Sequence, residues 1–308
     1  MNDTPFTVCA DLDLGTRVAT YLRSEGADVI ISEGPVPDRL ESVTDEGAAF
    51  AVNERAFLMH VPGGASFLVE DGNRITYART GASDRDVALF LLGSAWGALC
   101  YQRGLLPLHA SAVIRDGRVH AFTGPSGAGK STLTAALSDR GLAFFTDDVL
   151  IVDPARISPG DAPCYAGQKD MKLWRDALKL TGSEQMGAVR DEPGFEKFFA
   201  IPANAEATGR GQLASLTILK NENVRRDRQP VEIERVTGAT AIKKLRESIY
   251  RLRFGTAIMG RQKIFTALAQ LISAVEVQTF DRSLDKRAFD DSTATILEWV
   301  RKHGKADG

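Results

Sequence analysis

The chain has 308 residues, enough for one large domain or two ordinary ones, and is 44% hydrophobic and 25% charged. That is the composition of a soluble globular protein, and a formal net charge of −2 argues neither for nor against nucleic acid. Three cysteines, Cys9, Cys100 and Cys164, are odd in number and far apart, which argues against a disulfide framework and a zinc site and fits a reducing compartment.

The opening MNDTPFTVCADLDLG has no basic region followed by an apolar core, so it does not read as a secretory signal. TRVATYLRSEGA, Thr16 to Ala27, predicts a helix closed by Gly26. DVIIS, AAFAV, AFLMH and SFLVE predict short strands between turn residues. A long helix is expected from Asp84 to Arg103, started by Ser83 or Asp84 and ended by Gly104. It contains the most apolar run, Val87 to Tyr101, which is too short for a comfortable membrane span and carries two glycines. It reads as a buried helix, and with no membrane anchor the expected location is the cytoplasm. A boundary is placed near Gly104, giving an N-terminal α/β domain over 1–104 and a second domain over 105–308. The later chain is polar and loop-rich from Pro154 to Gly211, with one short helix expected over KDMKLWRDALKL. LASLTILK predicts a strand, Ala239–Leu252 and Arg261–Ala274 two helices, VEVQTF a strand, DSTATILEWVRKH a last helix and GKADG a frayed tail.

Within the second half the punctuation is that of an α/β fold: the strand VHAFTG, the loop PSGAGK, the helix STLTAALSDR and the strand LAFF. Gly124 to Ser131 fits G-x-x-x-x-G-K-[ST]. The glycines let the backbone curl so that several N–H groups point at phosphate oxygens, and the helix that follows adds its positive end. The expected phosphate ligands are Gly124, Pro125, Ser126, Gly127, Ala128, Gly129, Lys130, Ser131 and Thr132. Lys130 reaches the β- and γ-phosphates, Ser131 can bind magnesium, and Thr132 is placed for the α-phosphate side.

Asp147 follows Lys130 by 17 positions, with Asp148 beside it. A strand–helix–strand crossover makes the second strand parallel to the first, so both deliver their C-terminal ends to the edge where α/β sheets bind ligands. One carboxylate can hold magnesium and the other can accept the proton of an attacking hydroxyl. Taken alone, the pair would be a solvated turn. His109, in LPLHASAV, starts a strand that turns at Arg115–Gly117 into VHAFTG, which brings it toward the same loop. It could orient an aspartate. A buried histidine satisfied by a carbonyl is the equal alternative, and His120, mid-strand, reads as structural.

LHASAV, GPSGAGKST and FFTDDV, in this order and spacing, resemble the HPr kinase/phosphorylase family in its broad bacterial group. The resemblance covers about Leu105 to Asp153 well and the rest of the C-terminal half loosely. It implies an α/β phosphate-loop kinase fold related to phosphoenolpyruvate carboxykinase, with ATP and Mg²⁺ as cofactors and a serine hydroxyl as acceptor. Carried over residue by residue, Gly124 to Thr132 bind the phosphates, Asp147 is the base, Asp148 and His109 support it, and Ser131 with Asp148 binds the metal. The family's L-E-x-R-G-x-G segment, which gives the metal a glutamate, is absent. The region reads YAGQKDMKLWRDALKL and then DEPGFEKFFAIP, which puts HPr and reverse phosphorolysis in doubt. The chain is more similar to the shorter kinases of ribosomal-peptide gene clusters, whose relatives in lasso-peptide clusters phosphorylate a serine of the precursor.

The acceptor side is less legible. Lys169 and Lys172, three apart on the expected helix, would share a face near Trp174 and could hold γ-phosphate or an acidic peptide, or be solvated surface. Lys197 in GFEKFF is a similar candidate. Arg251 and Arg253 belong to a local cationic excess between Lys243 and Lys263 that could draw in an acidic peptide or form the wet side of helices. The expected partner is a peptide or small protein; the resemblance allows a homo-oligomer. No segment resembles a nucleic-acid module, and neither nucleic acid nor a membrane is expected as a partner. A small-molecule kinase and a non-kinase ATPase or switch remain as alternatives; a GTPase is disfavoured because LKNEN does not match Asn-Lys-x-Asp.

Overall fold

The computed structural model describes residues 4–190, 194–206, 208–220, 232–282 and 288–303. The expected frayed tail, 304–308, lies outside them, as do residues 191–193 of DEPGF and 221–223 of LKNEN. The fold is mixed α/β, with most strands gathered in two sheets.

The first sheet uses β1 (Val8–Ala10), β2 (Val29–Glu33), β3 (Asp45–Gly47), β4 (Phe50–Val52), β5 (Ala56–His60), β6 (Ala65–Glu70) and β7 (Arg74–Arg79), in the order β1-β2-β7-β6-β5-β4-β3. β1, β2 and β7 are parallel and the remaining pairs antiparallel. Period-two patterning sets the faces: in β7, Ile75 and Tyr77 are buried while Arg74 is exposed and Thr76 and Ala78 are only partly buried. The expected strands are present, but the helix expected over Thr16–Ala27 is only a 3₁₀ turn, Gly15–Val18. Tertiary pairing wins there. Val8 N–H donates to Tyr21 O and Arg23 N–H to Val8 O, both at 2.8 Å. Tyr21 is buried against Phe6 and Trp96, with ring centroids 5.3 and 5.0 Å away. Val18 and Thr20 are weak helix formers that do not resist this.

The long helix is present as α1 (Asp84–Phe90), a π-helical turn (Leu91–Ala95) and α2 (Trp96–Gln102). Ser83 caps it, accepting from Asp86 N–H at 3.3 Å. Its buried side chains pack with those of the first sheet and with Val149, Ile151, Tyr165 and Tyr250 of the second half. Gly93 and Gly97 let Tyr250 lie against the helix: a Cβ at either would stand 3.2 Å from that ring or its hydroxyl.

The second half contains β8 (Leu106–Leu108), β9 (Ser111–Arg115), β10 (Arg118–Thr123), α3 (Lys130–Asp139), β11 (Ala143–Thr146), β12 (Leu150–Val152) and β13 (Pro163–Ala166). There follow β14 (Met171–Trp174), α4 (Arg175–Thr181), β15 (Glu184–Ala188), β16 (Lys197–Ile201), β17 (Arg210–Leu219) and β18 (Glu232–Arg235). The last elements are α5 (Gly238–Arg246), α6 (Leu252–Met259), α7 (Arg261–Ala274), β19 (Glu276–Asp281) and α8 (Phe289–His303). The main sheet runs β11-β9-β10-β17-β13-β12-β8, with β19 beside β17 and β18 beside β19. β9 and β10 form the expected hairpin. β11 is parallel to β10, as the crossover requires, but β9 lies between them. The ends of β10 and β11 and the start of β9 therefore share one edge. α3 packs Leu133 and Leu137 against Ile296, Leu297 and Val300 of α8.

Three expectations are corrected. The stretch from Pro154 to Gly211 is not mainly loop, since it holds β13 and a separate sheet of order β14-β16-β15. KDMKLWRDALKL is not one helix but β14 followed by α4, so Lys169 and Lys172 share no helix face. Met171 and Leu173 alternate with Lys172 and Trp174 and face a small core with Phe144, Leu178, Phe198 and Ala200; so short an apolar pattern fits either period. The helix expected over Ala239–Leu252 ends at Arg246 and a new one starts at Leu252. His109 N–H takes Ser248 O at 2.7 Å and Tyr250 N–H takes Pro107 O at 3.0 Å, and Arg251 adopts φ 49°. Among the described residues no helix is long and apolar enough to cross a membrane.

His120 sits in the middle of this sheet, 1% exposed, with Nδ1 2.9 Å from Ser215 Oγ and Nε2 without a partner among the described residues. Burial, aided by the charges of Arg118, His303 and Arg115, pushes its pKa down to about 3. The unfolded chain therefore binds a proton near pH 6.5 that the folded chain refuses, and stability falls as pH drops from 6.5 toward 3. Between pH 7.5 and 5 this one group should remove about 2 kcal/mol. Urea denaturation at both pH values should show that much greater acid loss in the parent than in His120→Gln.

Candidate functional site

The loop between β10 and α3 needs its glycines. Gly124 has φ 139°, and a Cβ there would stand 2.5 Å from Leu219 O. Gly127 and Gly129 have φ 79° and 78°, and Gly129 caps α3 without a side-chain bond. The N–H groups of Lys130, Ser131 and Thr132 consequently make no hydrogen bond among the described residues, and these residues line a cleft. Open amides at a helix start, with a lysine among them, form an anion cradle. Lys130 is buried and its Nζ folds back onto Gly124 O and Pro125 O, at 2.9 and 3.2 Å. Burial lowers its pKa, against the opposing charges of Asp147 and Asp148.

The two aspartates have different surroundings. Asp147 is 2% exposed and fully occupied. Its Oδ1 accepts from Ser131 Oγ at 2.8 Å and from Ser111 Oγ, and its Oδ2 from Lys172 N–H at 3.0 Å. Asp148 is half-buried and faces the cleft at φ 72°, in a tight turn closed by Val149 N–H on Asp147 O at 2.9 Å. Its carboxylate lies 3.2 Å from His109 Nδ1 and 3.4 Å from Lys172 Nζ. Burial alone would raise its pKa. The hydrogen bond from His109 and the charges of Lys172, His109 and Lys197 outweigh that and hold the carboxyl well below the usual range. His109 is fixed in turn by Thr123 Oγ1 on its carbonyl, at 3.0 Å.

The cleft thus gathers His109, Ser126, Gly127, Gly129, Lys130, Ser131, Thr132, Asp147, Asp148, Lys172 and Lys197. Gly124 and Pro125 meet the Lys130 ammonium, and Ala128 is buried behind the loop. Three residues named for the acceptor are held elsewhere. Lys169 donates to Glu206 O at 2.6 Å and to Thr208 O. Arg253 binds Asp45 Oδ1 and Glu46 O of the first sheet, at 3.0 and 2.8 Å. Arg251 lies over the Tyr250 ring and does not line the cleft.

The sequence reading missed four contributors. Ser111 stands two positions after His109, a spacing that alone gave no reason to choose it. Trp174 lines the mouth of the cleft and is 52% exposed. Gln168 accepts from Lys172 Nζ at 3.1 Å and donates to Leu92 O at 2.8 Å, joining the site to the π turn. Arg282 is buried behind the loop, its Nη2 2.9 Å from Ala128 O, and burial lowers its pKa to about 10. No sequence signal marks it.

No family model matches the chain, and no curated protein matches it. Among solved structures it is similar to the HPr(Ser) kinase/phosphatase from Coxiella burnetii at 16% identity. That match covers 64% of this chain and 89% of the other, with a TM-score of 0.34. At that level function rests on this chain's own residues.

The Lys172 ammonium is buried 3.4 Å from the Asp148 carboxylate, and removing one partner leaves the other buried without its counter-charge. Asp148→Asn and Lys172→Met should each destabilise the fold. The double variant should recover part of the loss, giving a coupling energy of about 1–2 kcal/mol in a denaturation double-mutant cycle.

Proposed function

We propose that this protein is an ATP- and Mg²⁺-dependent kinase that phosphorylates a serine hydroxyl of a peptide or small protein, with ribosomally made precursor peptides as the candidate class. One observation carries the reading: an anion cradle with a buried lysine opens directly onto a carboxylate pair whose members have different partners. The residues fit the nucleotide. The unbonded amides of Lys130, Ser131 and Thr132 and the Lys130 ammonium suit a polyphosphate. Ser131 Oγ, oriented by Asp147 at 2.8 Å, would help hold Mg²⁺, which would neutralise phosphate charge. Among the described residues no group of three or more His, Cys, Asp and Glu could hold a metal by itself, so the ion would depend on the phosphates for further ligands. Bound Mg²⁺-ATP would supply the transferable phosphoryl group and part of the charge neutralisation.

The geometry favours a division of labour opposite to the sequence-based one. Asp147, its oxygens already committed to Ser111, Ser131 and Lys172 N–H, orients Ser131 and serves the metal side. Asp148, turned into the cleft, accepts the acceptor's proton, and His109 fixes its orientation. In that transfer the acceptor oxygen bonds to phosphorus as the bond to the leaving diphosphate breaks, and the hydroxyl proton passes to Asp148. Lys130 exchanges its loop carbonyls for phosphate oxygens, and with Lys172 it stabilises the charge that spreads over the transferring group.

The test is phosphoryl transfer from γ-labelled ATP, with Mg²⁺, to peptides encoded beside the gene and to random serine peptides. Asp148→Asn should lower kcat by about 10³-fold while nucleotide affinity stays within a fewfold. Ser131→Ala should raise the Mg²⁺ requirement. Label released only as free phosphate, with every acceptor unmodified, would overturn the kinase reading.

A further inference from the structure

The edge of β14 is an unfinished sheet at the mouth of the cleft. Among the described residues β14 pairs only with β16, in the order β14-β16-β15. Arg175 N–H donates to Glu196 O at 3.0 Å, which fixes the phase of the antiparallel ladder. Leu173 and Met171 then face β16 with their backbone groups, while Lys172 and Trp174 turn theirs outward. The first of the outward groups is already used: Lys172 N–H donates to Asp147 at 3.0 Å. The second, Trp174 N–H, lies about 7 Å further along the same edge and has no partner among the described residues.

The side chains agree with the backbone. Lys172 and Trp174, two apart on a strand, share a face, and Lys197 stands directly opposite Trp174. That face opens into the cleft that contains Asp148. Trp174 is 52% exposed, with the Phe195 ring 5.3 Å away and the Lys197 ammonium 5.9 Å from its own ring. The result is an aromatic platform with a cation beside it, leading past Lys172 to the proposed base.

Resting on the kinase reading above, we infer that the acceptor polypeptide binds in extended form as an added strand on the free edge of β14. One of its residues pairs in parallel, its carbonyl taking the Trp174 N–H and its N–H meeting Lys172 O on the same edge. A large apolar side chain lies on Trp174 and Phe195, an acidic one meets Lys197, and the acceptor hydroxyl falls beside Asp148 and Lys172. An unpaired edge is a template for a further strand. Strand addition takes its affinity from main-chain bonds and its specificity from alternate side chains. The charge of the platform selects an acidic rather than a basic peptide.

The experiment uses the full-length protein and a serine-centred library of heptapeptides, with ATP binding measured separately by calorimetry. The preferred sequences should carry an aromatic or large aliphatic residue and an acidic residue on one side of the serine. N-methylation along the best peptide should lower kcat/KM at least tenfold at the one residue that bridges Lys172 O and Trp174 N–H and little at its neighbours. Trp174→Ala should raise the peptide KM about tenfold, with ATP affinity within twofold, and Trp174→Phe should restore most of it. Uniform or absent N-methyl effects would overturn strand addition, whatever the kinase activity. A rise in ATP Kd rather than peptide KM in Trp174→Ala would assign the platform to the nucleotide base. A dimer that Trp174→Ala dissociates would assign it to a second copy. Either outcome overturns the inference. Loss of ATP binding in the parent protein would instead remove the kinase reading, and this one with it.

Discussion

Asp147 is the tie on which the site depends. One buried carboxylate accepts from the start of β9 through Ser111, from the first turn of α3 through Ser131, and from the edge of β14 through Lys172 N–H. These three segments are far apart in sequence, and without a common acceptor each would leave a polar group unmet in a dry place. A fully engaged carboxylate is also rigid, so the turn beside it is fixed. Asp148 is held at φ 72° and aimed into the cleft as a consequence. Strain of this kind persists where the surroundings over-determine it.

The two sheets meet through the helix between them rather than across an open linker. The π turn at Leu91–Ala95 offers Leu92 O to Gln168, and Gln168 in turn accepts from Lys172. Tyr21 of the first half donates to Ala166 O at 2.8 Å, and Tyr101 of α2 donates to Tyr250 O. The segment that reaches β14 is therefore fastened at Ala166 and Gln168 from the N-terminal side. A polar chain runs from the long helix to the carboxylate that faces the cleft. Buried networks of this kind are costly when incomplete, which gives the N-terminal half a structural part in shaping the site.

The small β14-β16-β15 sheet supplies one wall of the cleft. Its inner face is a compact apolar cluster, whereas its outer face brings Lys172, Trp174 and Lys197 to the mouth.

The sequence by itself determined the parts of the site that depend on local rules. Gly124, Gly127 and Gly129 mark a loop that needs left-handed backbone, the strand and helix around it follow from period, and the crossover sets Asp147 and Asp148 at the same edge as Lys130. The hairpin likewise brings His109 close. Tertiary structure decided the rest. Tyr21 was drawn out of a helix into an aromatic core by pairing with β1. Lys172 entered the cleft because alternation on β14, not a helix face, governs it, whereas Lys169, in the loop before that strand, is held by Glu206 O and Thr208 O. Arg253 was spent on the first sheet. Whether Asp147 or Asp148 keeps free oxygens could not be read from two adjacent identical residues. Hydrogen bonds from Ser111, Ser131 and Lys172 N–H distinguish them, and those donors come together only when β9, α3 and β14 converge.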